Sequence, residues 1–344
     1  MAIDRLADIP LVVAEVSSNH LGSLERATKL IEAAAAAGVQ MIKFQTFTAD
    51  TMTLNVDHPD FKVAADHDLW GGSPLYSLYE TAATPWAWHP ELFRRARELG
   101  IVPFSTPFDA SAVDFLESLN VPMYKIASLE IVDIPLIRYA ARTHKPLVIS
   151  TGTATLAEID DAVEAATAGG CSDVTLLVCT SSYPASPHDA HLRRMETLGR
   201  RYQCHVGLSD HTEGLGTSIA AVALGATLIE RHFTLRRSEG GHDAAFSLEP
   251  AELALLVREA RAAFDSLGSP EWAPLDTENE SKRLRRSLYV VTNVSQGDPI
   301  TPENVRAIRP GYGLPPKALD QIMGTRFARN AKAGEPLSWD HIDV

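Results

Sequence analysis

The chain has 344 residues, of which 45% are hydrophobic and 22% are charged, and its formal net charge is −13. This length allows two domains with a substantial core, and the composition is that of a globular protein. The acidic balance argues against nucleic acid or an anionic membrane as a partner, because both require a basic surface. No apolar run approaches the roughly 18 residues of a membrane span.

The cysteines and the amino-terminal residues indicate the cellular compartment in which the protein is expected. Cys171, Cys179 and Cys204 lack the spacing of a metal site, and the last two fall on or beside apolar runs. This pattern favours reduced, buried thiols and a cytoplasmic protein. The amino-terminal residues do not include a basic segment followed by an apolar stretch, so a signal peptide is not predicted.

Short apolar runs alternate with amphipathic segments between residues 11 and 268. The predicted strands are 11–16, 41–47, 101–106, 123–127, 146–151, 174–179, 205–208 and 227–233. The predicted helices are 24–37, 90–99, 111–119, 134–143, 156–168, 215–224 and 250–267. This alternation implies a parallel sheet, and eight repeats favour a (β/α)8 barrel, a TIM barrel, over an open doubly wound sheet.

The segment 48–89 interrupts the regular spacing, because it is too long for a loop between a strand and a helix. It is rich in aromatic residues, namely Trp70, Tyr76, Tyr79, Trp86 and Trp88. Loops of this length are usually functional or disordered. We therefore expect a lid or a subunit contact, and the alternative is an excursion that packs on the barrel without a function.

The character of the sequence changes after Leu267. Residues 269–286 are polar and charged, and they are predicted to link a barrel domain, 1–268, to a module of residues 287–344. The module has short β-type runs separated by glycine and proline turns. A module of this size is near the lower limit of independent stability, so it is expected to dock onto its own barrel or a partner's.

Polar or ionisable side chains follow all eight predicted strands at their carboxyl ends, where the active sites of such barrels lie. In strand order they are Glu15, Asn19 and His20; Lys43 and Gln45; Ser105, Thr106 and Asp109; Lys125, Ser128 and Glu130; Ser150 and Thr151; Thr180, Ser181, Ser182 and Tyr183; Ser209, Asp210 and His211; and His232. The amino ends of the same strands are mostly apolar or proline. A barrel without a function does not need this asymmetry, so an active site is predicted at the carboxyl ends.

Lysines and hydroxyl groups at these ends indicate a pocket for an anion. Lys43 and Lys125 lie just inside two strand ends, where a buried ammonium group needs an anionic partner. The hydroxyl groups that can add hydrogen bonds are those of Ser128, Ser150, Ser181 and Ser209. Together with a close backbone approach at Gly152, they suit a phosphate or a carboxylate. The alternative for either lysine is an ion pair within the protein.

Two histidines end neighbouring predicted strands. His211 and His232 can hold one divalent metal between them. With Glu15, Asp243 and a bound anion nearby, the pattern suits Mn²⁺ or Mg²⁺ with open positions better than closed structural zinc. The alternative is a pair of hydrogen-bonded core histidines. The sequence has no glycine-rich nucleotide motif and no zinc-protease motif, which argues against both of those classes.

Taken together, these segments resemble the sialic acid synthases, a family of phosphoenolpyruvate-condensing nonulosonate synthases. The matching segments are KFQT at 43–46, STPFD at 105–109, KIAS at 125–128, STG at 150–152, CTSSYP at 179–184, GLSDHT at 207–212 and ERHFT at 230–234. Further segments resemble the pseudaminic acid branch of the family, namely 69–72, 75–79, 84–86, 128–135 and 181–184. The resemblance extends to a C-terminal antifreeze-like (SAF) domain that is similar to type III antifreeze proteins.

The resemblance implies a metal-dependent condensation of phosphoenolpyruvate with an open-chain 2,4-diacetamido-2,4,6-trideoxy hexose. The products are pseudaminic acid and phosphate, which is released by C–O cleavage. The implied metal is Mn²⁺, or Mg²⁺ or Co²⁺, with His211 and His232 as its ligands. The residues implied to bind the substrates are Lys43, Gln45, Lys125, Ser128, Ser150, Ser181, Ser209 and Arg309. The residues implied to face the sugar or the metal are Glu15, Tyr183 and Asp243, with Glu130 as a candidate proton carrier.

The resemblance also implies a homodimer, in which each antifreeze-like domain is swapped onto the partner barrel and Arg309 reaches the sugar there. Three positions depart from the family pattern: Arg231 stands where lysine is usual, His242 where proline is common, and Ala87 where glutamate is usual. The choice of sugar is therefore open, and a legionaminic or N-acetylneuraminic acid synthase is an alternative. Alternatives from other classes are a non-catalytic carbohydrate-binding protein and an aldolase that forms a Schiff base at Lys125.

Overall fold

The computed structural model describes residues 9–64 and 71–343. Its first part is a closed barrel of eight parallel strands that follow one another in sequence order. The strands are β1 Leu11–Glu15, β2 Met41–Thr46, β3 Val102–Pro107, β4 Tyr124–Ile126, β5 Leu147–Ser150, β6 Val174–Cys179, β7 His205–Asp210 and β8 Leu228–His232. β1 pairs with β2 on one side and with β8 on the other, which closes the ring. The predicted (β/α)8 barrel is confirmed.

Alternation along each strand sorts the side chains between the barrel interior and the surrounding helices. The inward-facing apolar residues form one cluster, which contains Leu11, Val13, Met41, Phe104, Met123, Val148, Leu177 and Leu228. Two positions further along β1, β2, β4, β5 and β8, the inward residues are polar: Glu15, Lys43, Lys125, Ser150 and Glu230. The interior rows of the barrel therefore change from apolar to polar towards the carboxyl ends of the strands.

Helices cover the outside of the barrel, and most bury one apolar face against it. They are α1 Leu24–Ala36, α2 Ala49–Met52, α3 Leu75–Ala82, α4 His89–Glu98, α5 Ala110–Ser118, α6 Ile134–Ala141, α7 Leu156–Ala168, α8 Arg194–Tyr202, α9 Gly216–Ala223 and α10 Pro250–Asp265. The sequence did not predict α8, because this helix is rich in arginine and buries only Met195 and Leu198. Within the described ranges, no helix is both long and apolar enough to cross a membrane.

The insertion 48–89 contains α2, α3 and a short 3-10 helix, Trp86–Trp88, and part of it packs against the barrel. The Trp86 ring stacks on Phe115 with 4.8 Å between ring centroids, and its indole nitrogen donates to the Phe47 carbonyl oxygen at 3.2 Å. The Tyr79 ring meets the edge of Phe47 at 6.0 Å. Trp70, which the sequence placed in this aromatic group, lies outside the described residues.

Contacts within the chain define a second compact unit, Ser269–Val344, after the barrel unit that ends at Gly268. Its elements are α11 Asn279–Arg283, α12 Leu319–Ile322, and the antiparallel pairs β9 Ser287–Val290 with β10 Val305–Ile308 and β11 Arg326–Phe327 with β12 Ile342–Asp343. The segment predicted as a linker, 269–286, falls in this unit and includes α11. The unit has a small apolar core of its own, which is built around Leu288, Ile300 and Phe327.

Candidate active site

A cluster of charged side chains lies inside the barrel at the carboxyl ends of β1, β2 and β8. The Lys43 Nζ atom is 2.5 Å from Glu15 Oε2 and 3.6 Å from Glu230 Oε1, and all three side chains are buried. Lys43 also donates to Thr106 Oγ1 at 3.2 Å. The ion-pair alternative for Lys43 is therefore realised in the structure, with two carboxylates around one ammonium group.

The two carboxyl groups beside Lys43 have opposite pKa shifts. Burial, opposed by Lys43 and reinforced by Glu230, raises the pKa of Glu15 to about 7. Burial also acts against ionisation of Glu230, but Lys43 and Lys125 outweigh it and bring the pKa of Glu230 to about 2. At neutral pH, Glu230 is therefore ionised, whereas Glu15 is divided between its protonated and ionised forms.

Lys125 occupies the equivalent inward position on β4. Its Nζ atom donates to Ser150 Oγ at 2.6 Å and to the Ile126 carbonyl oxygen at 2.9 Å. Burial lowers the pKa of Lys125, because the site offers it neutral hydrogen-bond acceptors at close range. An anion placed beside this lysine would restore the charge balance and favour the ammonium form.

Gly152 allows two serine hydroxyl groups to approach the backbone after β5. Its N–H donates to Ser128 Oγ at 3.2 Å. A Cβ atom at this position would lie 2.3 Å from Ser181 Oγ and 2.7 Å from Ser128 Oγ. Such contacts are far inside van der Waals distance, so the position accommodates only glycine unless both serines move. The predicted anion pocket thus brings together serines that follow β4 and β6.

His211 and His232 lie side by side, with 5.2 Å between their ring centroids. His211 Nδ1 is 3.1 Å from the Thr180 carbonyl oxygen, which selects the tautomer that leaves Nε2 free as a ligand. His232 Nδ1 is buried without a hydrogen-bond partner, and burial lowers the pKa of His232 to about 3. Both rings thus offer a nitrogen to a ligand, and the Tyr183 ring lies 4.5 Å from that of His211.

The chain supplies few further donors around the two histidines. Among residues 9–64 and 71–343, no group of three or more histidine, cysteine, aspartate or glutamate residues is arranged to hold a metal ion. Two imidazoles with an unpartnered buried nitrogen still suit one divalent ion, whose other positions would be filled by oxygen atoms of substrates or water. The residues present therefore fit a metal with open positions, and they do not form a closed structural site.

Asp243 reaches the mouth of the barrel from the loop after β8. Its Oδ2 atom accepts hydrogen bonds from Ser17 Oγ at 2.6 Å and from Ser18 Oγ at 2.7 Å. The Ser17 N–H donates to Glu15 Oε1 at 2.8 Å. The sequence did not identify these two serines, although they directly follow β1 and Glu15, because nothing local indicates a partner more than 200 residues away.

Some of the polar residues predicted at the strand ends do not face the barrel interior. Asp109 caps α5 by accepting from the Ala112 N–H at 3.0 Å. Ser105 contacts Thr46 on the outer side of the strands, with 2.7 Å between the hydroxyl oxygens. The Asn19 side chain bridges to the Phe233 carbonyl oxygen and to Ser247 Oγ. These three positions support the fold of the loops, since their side chains are already bound to it.

The remaining predicted residues take more peripheral places. Gln45 is half-buried on β2, one inward position beyond Lys43. Glu130 lies in a short 3-10 helix after β4, and burial raises its pKa. His20 meets the edge of Trp88 at 5.6 Å, and burial lowers its pKa to about 4. Arg309 is exposed in the second unit.

A buried ion pair lies directly behind the two histidines. Asp210 and Arg231 precede them in the chain and face outward from β7 and β8, with 2.7 Å between Oδ2 and a guanidinium nitrogen. Asp210 also accepts from Ser218 Oγ on α9 at 2.5 Å, and Arg231 donates to the Thr212 carbonyl oxygen at 2.8 Å. The pair was missed by sequence reasoning, which placed Asp210 with the site residues.

Replacing Arg231 with methionine is expected to reduce the free energy of unfolding by about 3–5 kcal/mol, because a buried carboxylate would lose its charged partner. The double variant Asp210→Leu/Arg231→Met should recover much of this loss, since neither charge then remains buried. Chemical denaturation measures both effects. The matched control is Arg201→Met, which removes an exposed pair with Asp160 and should leave the stability unchanged. An Arg231→Met protein as stable as the control would contradict the prediction.

A large cleft of the barrel unit lies at the opposite end from this chemistry. It has a volume of about 840 Å³ and is lined by residues such as Pro122, Pro146 and Asp173, which precede strands β4, β5 and β6. The amino ends of barrel strands usually serve stability rather than catalysis. The lysines, histidines and acids described above lie at the carboxyl ends, and we place the candidate active site there.

Comparison with known proteins identifies the family of the chain. The profile of the NeuB family matches residues 30–271, and that of the SAF domain matches residues 285–343. The chain belongs to the NeuB family. Pseudaminic acid synthase from Helicobacter pylori is 41% identical over 97% of this chain and 98% of its own length. N,N'-diacetyllegionaminic acid synthase from Legionella pneumophila is 38% identical over 97% of this chain and 94% of its own length.

Membership of the NeuB family also agrees with the solved structures. N-acetylneuraminic acid (sialic acid) synthetase from Leptospira borgpetersenii, in complex with citrate, matches with a TM-score of 0.71 and 32% identity. The match covers 80% of this chain and 90% of that one. The resemblance to sialic acid synthases and the SAF domain predicted at the C-terminus are both confirmed.

Proposed function

We propose that the protein is a phosphoenolpyruvate-dependent nonulosonate synthase that makes pseudaminic acid from a 2,4-diacetamido-2,4,6-trideoxy hexose. The observation that carries the proposal is the convergence of two buried lysines and two adjacent histidines at one end of the barrel. Cations for an anionic substrate and ligands for a metal are what this condensation requires. The identity of 41% to pseudaminic acid synthase, against 38% to a legionaminic acid synthase, favours the choice of sugar.

One group of side chains binds phosphoenolpyruvate, and another would hold the metal that acts on the sugar. Lys43 and Lys125 supply positive charge to the phosphate and carboxylate of phosphoenolpyruvate, and the serine hydroxyl groups near Gly152 donate to its oxygens. His211 and His232 would hold the divalent metal, for which Mn²⁺ is the expected ion. A bound divalent metal supplies Lewis acidity, which polarises the aldehyde of the open-chain sugar.

The bonds that form and break are set by the two substrates. C3 of phosphoenolpyruvate bonds to the aldehyde carbon, whose oxygen becomes a hydroxyl group. Water then adds to C2 and loses two protons in all, one that balances the proton taken up by the aldehyde oxygen and one that leaves with the phosphate. C2 becomes a carbonyl carbon as phosphate departs with the bridging oxygen. Glu15 is suited to take a proton from this water, because a carboxyl group with a pKa near 7 exchanges protons readily at neutral pH. Asp243, held by Ser17 and Ser18, is placed to accept a hydrogen bond from the sugar.

The deciding experiment is phosphate release from phosphoenolpyruvate with a panel of acetamido sugars. Release is expected with the diacetamido trideoxy hexose, and mass spectrometry should find a product that contains both carbon skeletons. An ¹⁸O label in the bridging position should appear in the released phosphate. Phosphate release at the same rate without any sugar would overturn the proposal. Turnover only with another acetamido sugar would identify the alternative synthases.

One observation favours a Schiff-base aldolase as the second candidate. The lowered pKa of Lys125 is a property of lysines that attack carbonyl groups. Borohydride reduction in the presence of substrates separates the two functions: a covalent adduct at Lys125 supports the aldolase, and no adduct with full turnover supports the synthase. The swapped homodimer, the role of Arg309 in it and the cytoplasmic location stay predictions.

Replacing Gly152 with alanine is expected to raise the KM for phosphoenolpyruvate by about 10- to 100-fold. The added methyl group would displace Ser128 and Ser181, each of which can supply a hydrogen bond worth about 1–3 kcal/mol to a charged ligand. Steady-state kinetics with a saturating sugar measure the change. Gly216→Ala at the start of α9 is a suitable control, because its φ is not in the left-handed region and its Cβ would meet no atom within 4 Å. An unaltered KM in Gly152→Ala would contradict the proposed phosphate pocket.

A further inference from the structure

A cleft of about 800 Å³ opens at the carboxyl end of the barrel, beside the candidate active site. Three segments enclose it: the loop after β1, the insertion with α3, and the loop after β8. Its apolar wall includes Leu21, Leu78, Pro85 and Trp88. The volume falls in the range of small-molecule sites, which are mostly apolar with a few polar groups.

The cleft adjoins the active site through the residues that hold Asp243. Ser18 lines the cleft, and both its N–H and its hydroxyl group donate to Asp243 Oδ2, at 3.3 and 2.7 Å. His242, the neighbour of Asp243 in the chain, lines the cleft as well. A ligand that is hydrogen-bonded to Asp243 can therefore extend directly into this space.

The walls of the cleft are connected to one another. Thr81 Oγ1 of α3 lies 3.2 Å from His242 Nε2 of the loop after β8. Gly241 has a φ of +120°, and a Cβ there would lie 2.8 Å from Leu21 Cδ2 of the loop after β1. These contacts connect the three segments around the cleft.

The chemistry of the lining selects against a charged ligand. The ionisable residues that line the cleft are Glu80 and His242, and the described lining includes no lysine or arginine. A phosphate group would meet the Glu80 carboxylate without a compensating cation, which is unfavourable. A methyl group would be accommodated by the apolar wall, and the N–H of an amide group can donate a hydrogen bond to the Glu80 carboxylate.

We propose that this cleft binds the end of the acceptor sugar that is remote from the aldehyde. The apolar wall takes the C6 methyl group, and the polar side takes the neighbouring acetamido group. Leu78 of α3 is then a specificity-determining residue that distinguishes a 6-deoxy sugar from 6-hydroxy and 6-phosphorylated sugars. This inference rests on the proposed function, and it assigns a role to the insertion 48–89.

The first test replaces Leu78 with alanine. The KM for the diacetamido trideoxy hexose is expected to rise about tenfold, since the loss of one apolar contact in a pocket typically reduces discrimination by 10- to 200-fold. The KM for phosphoenolpyruvate should not change. Ser77→Ala is the matched control, because Ser77 lies on the same helix and is exposed away from the cleft.

The second test reverses the preference of the cleft. Leu78→Lys places a cation beside Glu80, so the ratio of kcat/KM for the 6-deoxy sugar to that for a 6-phosphorylated amino sugar should fall by about 100-fold. A damaged fold would lower both values and leave the ratio in place. Unchanged acceptor kinetics in both Leu78 variants, beside an active wild-type enzyme, would overturn the assignment of the cleft alone. Sugar-independent phosphate release by the wild type would overturn the proposed function and the assignment together.

Discussion

Replacing either His211 or His232 with alanine is expected to lower kcat by about 1,000-fold or more. Each variant removes one of the two imidazoles that would hold the metal, and Lewis-acid activation of a carbonyl group is worth several kcal/mol in such reactions. Treatment of the wild type with EDTA should have the same effect, and Mn²⁺ should restore its turnover. Steady-state kinetics measure the loss of turnover, and Mn²⁺ titration by electron paramagnetic resonance measures the loss of metal affinity.

The histidine prediction has a direct control in His188→Ala. His188 is exposed in the loop after β6, so its removal should change neither kcat nor the affinity for Mn²⁺. The metal variants should keep the fold, because His232 Nδ1 makes no hydrogen bond and His211 Nδ1 contacts only the Thr180 carbonyl oxygen and, at 3.8 Å, Cys179 Sγ. Full turnover by protein from which elemental analysis finds all metal removed would defeat the metal role.

Lys125→Met is expected to lower kcat/KM for phosphoenolpyruvate by about 100- to 1,000-fold while the protein stays folded. Removing one member of a buried charge interaction with a ligand costs roughly 2–5 kcal/mol of binding. Folding should suffer little, because the nearest acceptors of Lys125 are neutral, its burial disfavours the charged form, and Glu230 keeps Lys43 as a partner. Kinetics with phosphoenolpyruvate, combined with thermal unfolding, separates the two effects.

The matched control for this lysine lies on the outside of the barrel. Lys145 pairs with Glu117 at the surface, and Lys145→Met should leave the kinetics unchanged. Lys43 is a less suitable target for this comparison, since its removal would leave Glu15 and Glu230 without their shared partner. If Lys125→Met bound phosphoenolpyruvate as tightly as the wild type, the anion would have to bind elsewhere in the barrel.

The histidine variants test the proposed metal site, and Lys125→Met tests the proposed phosphoenolpyruvate site beside it. Within residues 9–64 and 71–343 no third histidine, cysteine or acid joins the two histidines in a metal-holding group, so oxygen atoms of the substrates or water would complete the coordination. The lysines neutralise a substrate that carries several negative charges, and Glu15 and Glu230 keep the empty pocket close to neutral. A variant that lost metal affinity and one that lost phosphoenolpyruvate affinity would together distinguish the roles of these neighbouring groups.

Residue types and their periodicity were sufficient to predict the barrel and most of its polar end. Eight repeats of a strand followed by a helix favour a closed barrel. Within each strand, side chains two positions apart lie on the same face. Met41 and Lys43, or Met123 and Lys125, therefore had to point the same way. The family resemblance rested on the same local segments, which is why it also identified the histidines.

Only the tertiary structure decided which polar residues are engaged elsewhere and which distant residues meet. Asp210 faces outward to Arg231, because one position of shift along a strand changes the side on which a side chain lies. The contact of Ser17 and Ser18 with Asp243 joins the two ends of the barrel sequence. The cleft beside Leu78 likewise needs three separate loops. Local sequence sets the strand pattern. Closure of the ring places β1 beside β8, and this brings Ser17 and Ser18 to Asp243.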